Sequence, residues 1–425
     1  MSDLHQLCLL TQRPITSEYS QKLRSLLESG IPATYTLEQA AAYNAEEQGL
    51  EAPETSGDTT PLHILCSAYP EDATADETAV VLELMDILME YGAGWNHTDG
   101  DNRTPGCVLV NRKLTDTPLY KRMVSAGVQA ELLLRKVSEY DMEVLSDDEV
   151  AQLELQQAEE TEQPEPETKE ETETKQSETK VEPEEDDGQD APDAPSLNQT
   201  SYLNTKLEYT DDALVTAERK DGVMMAWETQ LMELGANSLF AQAEPDNAVV
   251  LNIGFGMGII DTFIQQKQPK KHYICEAHPD VLAKMKQDGW YAKPNVVVLE
   301  GRWQDNLDTL LSEGVFFDGI YYDTFSEHYA DMLELYDYVV GLLKPQGVFS
   351  FFNGLGADRQ VVYDVYKELV DLDLSNYGLT CKFEPVPVPA ENMANVWDEV
   401  KRSYWACPTY YHPQASFAAF EDDTI

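Results

Sequence analysis

Short apolar runs recur through the C-terminal half of the chain, at 248–253, 272–275, 295–299, 318–322 and 347–352. Runs this short that lack polar alternation are typical of strands buried on both faces of a sheet. Between them lie stretches with helical character, at 259–266, 279–287, 329–343 and 359–370. The alternation predicts an α/β fold with a doubly wound, mostly parallel sheet. Two later segments, 381–388 and 403–411, predict an antiparallel hairpin at one sheet edge.

The N-terminal half has a different pattern, with repeated helix starts. Thr60-Pro61-Leu62-His63 matches the opening of an ankyrin repeat, and Thr104-Pro105 opens a further unit. Proline suits the first position of a helix, and Gly92 suits the end of the helix between these two starts. We therefore predict an α-helical, ankyrin-like repeat domain over residues 1–145, with a generic helical domain as the alternative. Repeats of this kind present a surface for protein recognition.

The two halves are separated by a tract rich in Glu, Asp, Pro, Thr and Gln, from residue 151 to residue 190. Such a composition buries too little apolar surface to offset the conformational entropy of folding. It predicts an acidic disordered linker, which we place at 146–196, and it leaves 197–425 as the α/β domain. A docking tail is the alternative role for this tract.

The net charge of the chain limits the classes of molecule that it can bind. The formal charge is −49 and the sequence pI is about 4.2. A surface this acidic repels nucleic acid and attracts basic partners. The six cysteines are scattered, without a CxxC pair or zinc-like spacing, so no metal is expected. No apolar run approaches the roughly 18 residues of a membrane helix, and the start lacks a signal-peptide pattern. We therefore expect no membrane association and a location in the cytoplasm, with the nucleus as a second compartment.

A glycine-rich turn, Gly254-Phe255-Gly256-Met257-Gly258, directly follows the first predicted strand. Glycines there let the backbone approach a nucleoside ligand without a side-chain clash. Glu276, at the end of the second strand, can accept hydrogen bonds from both ribose hydroxyls. These features leave a methyltransferase and a nicotinamide-dependent dehydrogenase as alternatives. The turn has no basic residue to favour a pyrophosphate, which tilts the balance towards S-adenosylmethionine.

Two more carboxylates are candidates for the chemistry. Asp323 ends the fourth strand and should face the same crevice as Gly256 and Glu276, because ligands bind beyond the carboxyl ends of parallel strands. Glu228 lies in the segment 223–229, ahead of the sheet, which can fold over the pocket as a lid. The local pattern favours an exposed helical position for Glu228, and a carboxylate in an apolar setting that meets a cation is the alternative.

Four stretches resemble the signature segments of guanidinoacetate methyltransferase: 224–229, 251–258, 300–303 and 317–324. With the ankyrin-like segment and acidic tract in front, the whole chain resembles the fungal type IV protein-arginine methyltransferases. The resemblance implies a class I, Rossmann-like methyltransferase domain. This domain would transfer a methyl group from S-adenosylmethionine to the delta nitrogen of a protein arginine, giving monomethylarginine. It also implies a basic protein substrate, a large-subunit ribosomal protein.

Two other functions stay open at this point. One is a small-molecule guanidino-compound N-methyltransferase, against which the ankyrin-like half argues, because a metabolite needs no protein-docking surface. The other is a catalytically inactive ankyrin-type binding protein, against which the presence of Glu276 and Asp323 at the expected strand ends argues.

The resemblance also implies the residues of the site. Glu228 and Asp323 would hold the guanidino group as the catalytic pair. The implied cofactor-binding residues are Tyr202, Met225, Phe255, Gly256, Met257, Gly258, Ile259, Ile260, Glu276, Ala277, His278, Trp303, Gln304 and Asp323. Asn252 departs from the pattern of many class I methyltransferases, which have an acidic residue there, and this predicts a different grip on the methionine amine. For His278 and His328 we expect structural roles in preference to that of a general base.

Overall fold

Helices make up the N-terminal part of the computed structural model, which describes residues 2–47, 57–139, 194–389, 393, 395–398, 400–401 and 403–418. They are α1 Asp3–Cys8, α2 Glu18–Glu28, α3 Leu37–Glu47, α4 Pro61–Ala68, α5 Ala75–Glu90, α6 Pro105–Asn111 and α7 Pro118–Glu139. Residues Met1–Val128 belong to the same compact unit as Ala191–Ile425, and Gln129–Asp190 form a second unit. The predicted linker, 146–196, lies outside the described residues except for 194–196, so the domain boundaries stay a prediction.

The Thr–x–x–His arrangement at the start of α4 has a counterpart at the start of α1. The Thr60 hydroxyl accepts a hydrogen bond from the His63 amide, and the Ser2 hydroxyl accepts one from the His5 amide in the same way. Nε2 of each buried ring lies 2.8–2.9 Å from a backbone carbonyl further along the chain. Because buried ring nitrogens need partners, these contacts tie each helix start to the chain that follows it.

A small antiparallel sheet that the apolar pattern does not predict precedes the main one. It follows α8 Gln199–Asn204 and consists of β1 Leu207–Tyr209, β2 Ala213–Thr216 and β3 Gly222–Met225, in that order. β3 leads into a 3₁₀ turn, Ala226–Glu228, and then into α9 Thr229–Ser238. The exposed helical position favoured for Glu228 by the local pattern is wrong, because this side chain is only 3 % exposed. Its backbone ends the turn, where tertiary packing covers the side chain.

Seven strands form the main sheet: β4 Val249–Ile253, β5 Lys271–Glu276, β6 Val296–Glu300, β7 Phe317–Tyr322, β8 Leu343–Phe351, β9 Leu379–Pro387 and β10 Thr409–Phe417. Their order is β6-β5-β4-β7-β8-β10-β9. The first five in this order are parallel, and β10 runs antiparallel to β8 and β9. The predicted doubly wound, mostly parallel sheet with an edge hairpin is confirmed, although β10 starts at Thr409 and not at residue 403.

Helices cover both faces of this sheet: α10 Ile259–Gln266, α11 Pro279–Gln287, α12 Trp303–Glu313, α13 Tyr329–Leu342 and α14 Gln360–Asn376. In β4, Leu251 and Ile253 join the apolar cluster formed with α12 and α13. Val250 points the other way and joins the cluster formed with α9, α10 and α11. Because both faces of β4 are buried, its sequence is a continuous apolar run and not an alternating one.

Helices α6 and α7 pack onto α14. A Cβ placed on Gly106 would lie 2.5 Å from a methyl carbon of Val361, and one placed on Gly127 would lie 2.5 Å from a methyl carbon of Val365. Any larger residue would therefore push the helices apart. Tyr120 adds a hydrogen bond of 2.6 Å to a carboxylate of α14. The helical part and the α/β part thus share a packed interface in addition to the chain that joins them.

Candidate active site

The glycine turn after β4 brings the backbone against the end of β7. Gly254 has a φ of +92°, and a Cβ there would lie 1.9 Å from the carbonyl oxygen of Asp323. Gly258, with a φ of +72°, caps the start of α10 in the left-handed conformation. The missing side chain at Gly254 therefore makes room first for the protein's own backbone, and so holds the ends of β4 and β7 together.

Glu276 ends β5 beside this turn. Its Oε2 accepts a hydrogen bond from the Phe255 amide at 2.9 Å, and its Oε1 accepts one from the His278 amide at 2.7 Å. Burial raises the pKa of this carboxyl, while the surrounding backbone amides act in the opposite direction. The amides of Gly256 and Ala277 act on the same carboxylate, and its hydrogen bonds to ribose stay a prediction.

A cleft lies at the carboxyl ends of β4, β5 and β7, with an empty volume of about 580 Å³ that includes open solvent. Six of the predicted site residues line it: Tyr202, Gly256, Glu276, Ala277, Trp303 and Asp323. The other predicted residues are not part of its lining, and they are Met225, Glu228, Phe255, Met257, Gly258, Ile259, Ile260, His278 and Gln304. Phe255 and Ile260 belong to the apolar core beneath the turn, and Met225 lines a separate cavity. The binding role of all these residues stays a prediction.

Several polar atoms around this cleft are buried without a hydrogen-bond partner among the described residues. They are Arg302 Nε, both amide atoms of Gln304, Asp323 Oδ2 and Ser326 Oγ. Arg302 and Asp323 line the cleft, while Gln304 and Ser326 directly follow lining residues in the chain. A buried polar atom without a partner costs about 1–3 kcal/mol. The set therefore fits a polar ligand that supplies the missing partners.

Glu228 is buried and Asp323 is half-buried, and the charge of Asp323 acts on Glu228. Burial raises the pKa of Asp323 to about 7, and the charge of Asp261 adds to this effect. Burial also raises the pKa of Glu228 well above its ordinary value, and the charge of Asp323 acts in the same direction. Burial and nearby like charges disfavour the ionisation of both carboxyls, and a bound cation favours it. The pair is thus suited to receive a cationic group.

Tyr404 belongs to this pair although the sequence does not single it out. Its hydroxyl donates to Oε1 of Glu228 and accepts from Nε1 of Trp227 at 3.3 Å. Residues 228 and 404 lie 176 positions apart, so no local spacing connects them. The only signal near Tyr404 is the run 403–411, which predicts a strand. The contact arises because the segment before β10 folds back over the 3₁₀ turn.

Glu327 is a second residue that the sequence pattern does not reveal. Its carboxylate accepts hydrogen bonds from Trp303 Nε1 at 3.0 and 3.1 Å and from Gln199 Nε2 at 2.7 Å. It also accepts from the hydroxyls of Tyr322, at 2.5 Å, and Thr324, at 2.6 Å. Gln199 lies on α8 and Tyr322 ends β7, so the Glu327 carboxylate links α8 to the carboxyl end of β7. It also fixes the Trp303 ring in the lining of the cleft.

Two histidines fasten α8 and its flanks to the α/β domain. Nε2 of His278 lies 3.1 Å from the carbonyl oxygens of both Tyr202 and Thr205. Nε2 of His328 lies 3.0 Å from the carbonyl oxygen of Leu197. Both rings therefore hold backbone in place, in line with the structural roles expected for them.

Below the glycine turn, a carboxylate from α10 accompanies Asn252. Nδ2 of Asn252 donates to both oxygens of Asp261, the carboxylate on α10, at 3.0 and 2.9 Å, and to the Gly254 carbonyl at 2.7 Å. Nε2 of His272 lies 3.0 Å from Asp261 Oδ1, and Asn252, Asp261 and His272 are all fully buried. The acidic group that Asn252 lacks is thus present nearby, supplied by the neighbouring helix.

Two further properties concern the described part of the chain alone. None of its helices is long and apolar enough to cross a membrane. It also contains no group of three or more His, Cys, Asp or Glu side chains placed to hold a metal ion.

Comparison with known proteins identifies a family for this chain. The guanidinoacetate N-methyltransferase family profile matches residues 199–373. Protein arginine N-methyltransferase 2 of Debaryomyces hansenii is 58 % identical, over 98 % of this chain and 99 % of its own. The protein of the same name from Saccharomyces cerevisiae is 54 % identical, over 98 % and 100 %. That of Aspergillus fumigatus is 40 % identical, over 89 % and 85 %. The chain therefore belongs to the protein arginine N-methyltransferase 2 family.

Proposed function

We propose that this protein transfers a methyl group from S-adenosylmethionine to the delta nitrogen of an arginine in a protein substrate, giving monomethylarginine. The observation that carries the proposal is the pair formed by the buried Glu228 and the half-buried Asp323, of which Asp323 lines the cleft. A guanidinium is a planar cation with several N–H donors, and carboxylates are its preferred partners.

The cleft fits the methyl donor by its polar groups. Glu276 would accept from the ribose hydroxyls, Trp303 would lie beside the adenine, and Tyr202 would close the pocket from the α8 side. The unpartnered atoms of Arg302, Gln304 and Ser326 offer further hydrogen bonds. When bound, S-adenosylmethionine supplies the methyl group as an electrophile.

The carboxylate pair does two things for the substrate. First, it orients the guanidinium, and positioning of reactants can contribute about 7–11 kcal/mol to lowering a barrier. Second, it accepts a proton, because an arginine side chain enters as a cation and one proton must leave as the nitrogen is methylated. Asp323, with a pKa raised to about 7 by burial, is suited to take up that proton at neutral pH.

The choice of the delta nitrogen follows from which nitrogens the pair occupies. If Glu228 and Asp323 hold the two terminal nitrogens, those atoms are engaged by hydrogen bonds and the inner nitrogen is left to meet the methyl group. After one transfer the delta nitrogen has no hydrogen left, so no dimethyl product forms there. The likeness of residues 199–373 to guanidinoacetate N-methyltransferase supports a guanidino acceptor.

The partner we propose is a basic protein, in particular a large-subunit ribosomal protein met in the cytoplasm or nucleus. The net charge of −49 supports a basic partner through long-range attraction. The α1–α7 region would be the docking surface, as an ankyrin-like array. The repeated caps at Ser2–His5 and Thr60–His63 support that interpretation of the helices.

Mass spectrometry of proteins methylated in a lysate from cells that lack the enzyme tests the proposal. The wild-type protein should produce monomethylarginine whose fragmentation places the methyl group on the delta nitrogen. The Asp323→Asn protein serves as the matched control and should give no product. A methyl group on a terminal nitrogen, or any dimethylarginine, would contradict the proposed orientation.

A second candidate function is methylation of a small guanidino compound, which the family match over 199–373 favours. Guanidinoacetate offered to the purified protein tests it. Turnover of guanidinoacetate at a kcat/KM above that for a basic arginine-containing protein would favour this alternative.

A further inference from the structure

A short hydrogen-bonded chain of side chains ends on one member of the carboxylate pair. The indole N–H of Trp227 can only donate, so the Tyr404 oxygen is its acceptor. The Tyr404 hydrogen is then free to point to Oε1 of Glu228, which it contacts. The backbone amide of Met225 also hydrogen-bonds this carboxylate. Glu228 thus receives donors from two different elements of the fold.

The start of this chain is held rigidly. The Trp227 ring packs against three other aromatic rings, with centroid distances of 5.5 Å to Trp405, 6.2 Å to Trp397 and 6.5 Å to Phe352. The Trp227 side chain therefore has little freedom to turn its N–H away from Tyr404. The direction of the hydrogen bonds, from Trp227 to Tyr404 to Glu228, follows from this packing.

Asp323 has the opposite surroundings. Its Oδ2 is buried and has no partner among the described residues. The titratable groups that act on Glu228 are Asp323 and Tyr321 at the end of β7, Tyr404, and Tyr410 on β10. For Asp323 the neighbouring charge with the largest effect is Asp261 on α10, which disfavours its ionisation. Among the residues that the structure describes, Glu228 therefore has hydrogen-bond donors, whereas Oδ2 of Asp323 has none.

We propose that Tyr404 is a positioning residue that, together with Trp227, keeps Glu228 as the ionised partner of the substrate guanidinium and leaves Asp323 as the proton acceptor. This inference rests on the function proposed above. In the reaction, the substrate nitrogen bonds to the methyl carbon as the carbon–sulfur bond breaks and its electron pair stays on sulfur. The hydrogen on the attacked delta nitrogen is the one that leaves, because the methyl group takes its place in the product, and it passes as a proton to Asp323. Glu228 keeps its charge and stays paired with the methylated guanidinium.

The variant Tyr404→Phe removes the hydroxyl and keeps the ring. A hydrogen bond to a charged group contributes about 1.5–3 kcal/mol, and one pKa unit corresponds to about 1.4 kcal/mol. Loss of this donor raises the pKa of Glu228, so the pair loses negative charge at a higher pH. The acid limb of kcat/KM for the protein substrate should therefore move up by about one pH unit. The KM for that substrate should rise about tenfold, while the affinity for S-adenosylhomocysteine stays within about twofold.

Tyr363→Phe is the matched control. Its hydroxyl is also buried in the aromatic cluster around Trp405, but it accepts from the Tyr411 amide at 3.0 Å and not from the carboxylate side. We expect the acid limb of this variant to coincide with that of the wild type. If Tyr404→Phe lowers kcat/KM equally at every pH, or behaves like Tyr363→Phe, the positioning role is refuted.

Trp227→Phe provides a second variant should Tyr404→Phe fold poorly. It removes the indole N–H that donates to Tyr404 and keeps Tyr404 itself. The acid limb of kcat/KM should therefore move up by less than in Tyr404→Phe, and an unmoved acid limb would count against the proposal. Infrared titration of the substrate-free proteins, with ¹³C-labelled glutamate, gives a readout that needs no turnover. The protonated carboxyl band of a buried glutamate should persist to higher pH in Tyr404→Phe than in wild type. Failure of the wild type to methylate any arginine would overturn the proposed function alone, whereas an unchanged infrared titration would overturn the role of Tyr404 alone.

Discussion

The carboxylate assigned to the cofactor and the carboxylate assigned to the substrate are held in place by different means. On the cofactor side, Glu276 is held by the backbone amides of Phe255 and His278, which lie at the ends of adjacent strands. On the substrate side, Glu228 is held by the side chain of Tyr404, 176 positions away. Backbone contacts come with the sheet itself, whereas the side-chain contact needs a distant segment to fold over the turn. The cofactor side should therefore survive changes that disable the substrate side.

The largest effect is expected for Asp323→Asn. The change keeps the shape of the side chain and removes both the charge and the proton acceptor. Turnover should fall by a factor of about 10² to 10⁴, the usual contribution of a general base, while cofactor affinity changes by less than about threefold. Single-turnover kinetics together with calorimetric titration of S-adenosylhomocysteine would measure both. Equal losses of cofactor affinity and turnover would show that the two sides are not separable.

Glu276→Ala tests whether cofactor binding can be weakened without loss of kcat. The substitution removes the acceptor of the Phe255 and His278 amides together with the predicted ribose contacts. Cofactor affinity should fall about tenfold or more, because each hydrogen bond to a charged group contributes about 1.5 kcal/mol or more. At saturating cofactor, kcat should be nearly that of the wild type. Glu276→Gln keeps an acceptor oxygen and should give a smaller loss, and unchanged affinity in the alanine variant would rule out the assigned role.

Glu327→Gln should lower the affinity for the cofactor moderately, without a separate effect on kcat. The new amide keeps one acceptor oxygen where the carboxylate has two, so some of the groups that donate to Glu327 lose their acceptor. Cofactor affinity should fall about fivefold, and protease should cut the 194–205 segment faster. Glu313→Gln, at an exposed position at the end of α12, is the control and should change neither. A fall in kcat without a change in affinity would contradict this role for Glu327.

The smallest effect on catalysis is expected for Gly106→Ala, far from either carboxylate site. The added methyl group meets Val361 at 2.5 Å, so the free energy of unfolding should fall by about 1–3 kcal/mol. Cofactor affinity and kcat should stay at wild-type values. At Gly94 an added Cβ would meet its nearest neighbour at an ordinary 3.5 Å, so Gly94→Ala is the control in urea unfolding. If the two variants have the same free energy of unfolding, the contact between α6 and α14 accommodates the added methyl group without loss of stability.

The sequence predicts the main sheet well for a physical reason. Strands buried on both faces are mostly apolar, so β4 to β8 are visible as short runs in which a few polar residues, such as Asn252 and His272, are exceptions. The positions that follow such runs meet at one sheet edge, and the chain order of Gly254, Glu276 and Asp323 is therefore enough to place them in one cleft.

The residues that the sequence does not reveal are those that act through contacts distant along the chain. Tyr404 and Glu327 have no local motif, and their importance appears only when several elements meet around one carboxylate. Glu228 shows the same limit, because its local pattern favours an exposed helix and tertiary packing decides otherwise. The resemblance to guanidinoacetate methyltransferase identifies Glu228 where the residue pattern alone does not.

The glycine contacts of α6 and α7 with α14 have a consequence for anyone who truncates this protein. Residues Val361 and Val365 are covered by Gly106 and Gly127, whose backbones lie close enough to exclude water. If the α/β part were expressed alone, the ridge formed by Val361 and Val365 would be exposed to solvent. An exposed apolar strip promotes self-association. A chain cut between residues 140 and 193 keeps the ridge covered, because the pieces are held by contact. The intact connection then acts mainly through effective concentration, so supplying the two pieces together should restore a monodisperse enzyme.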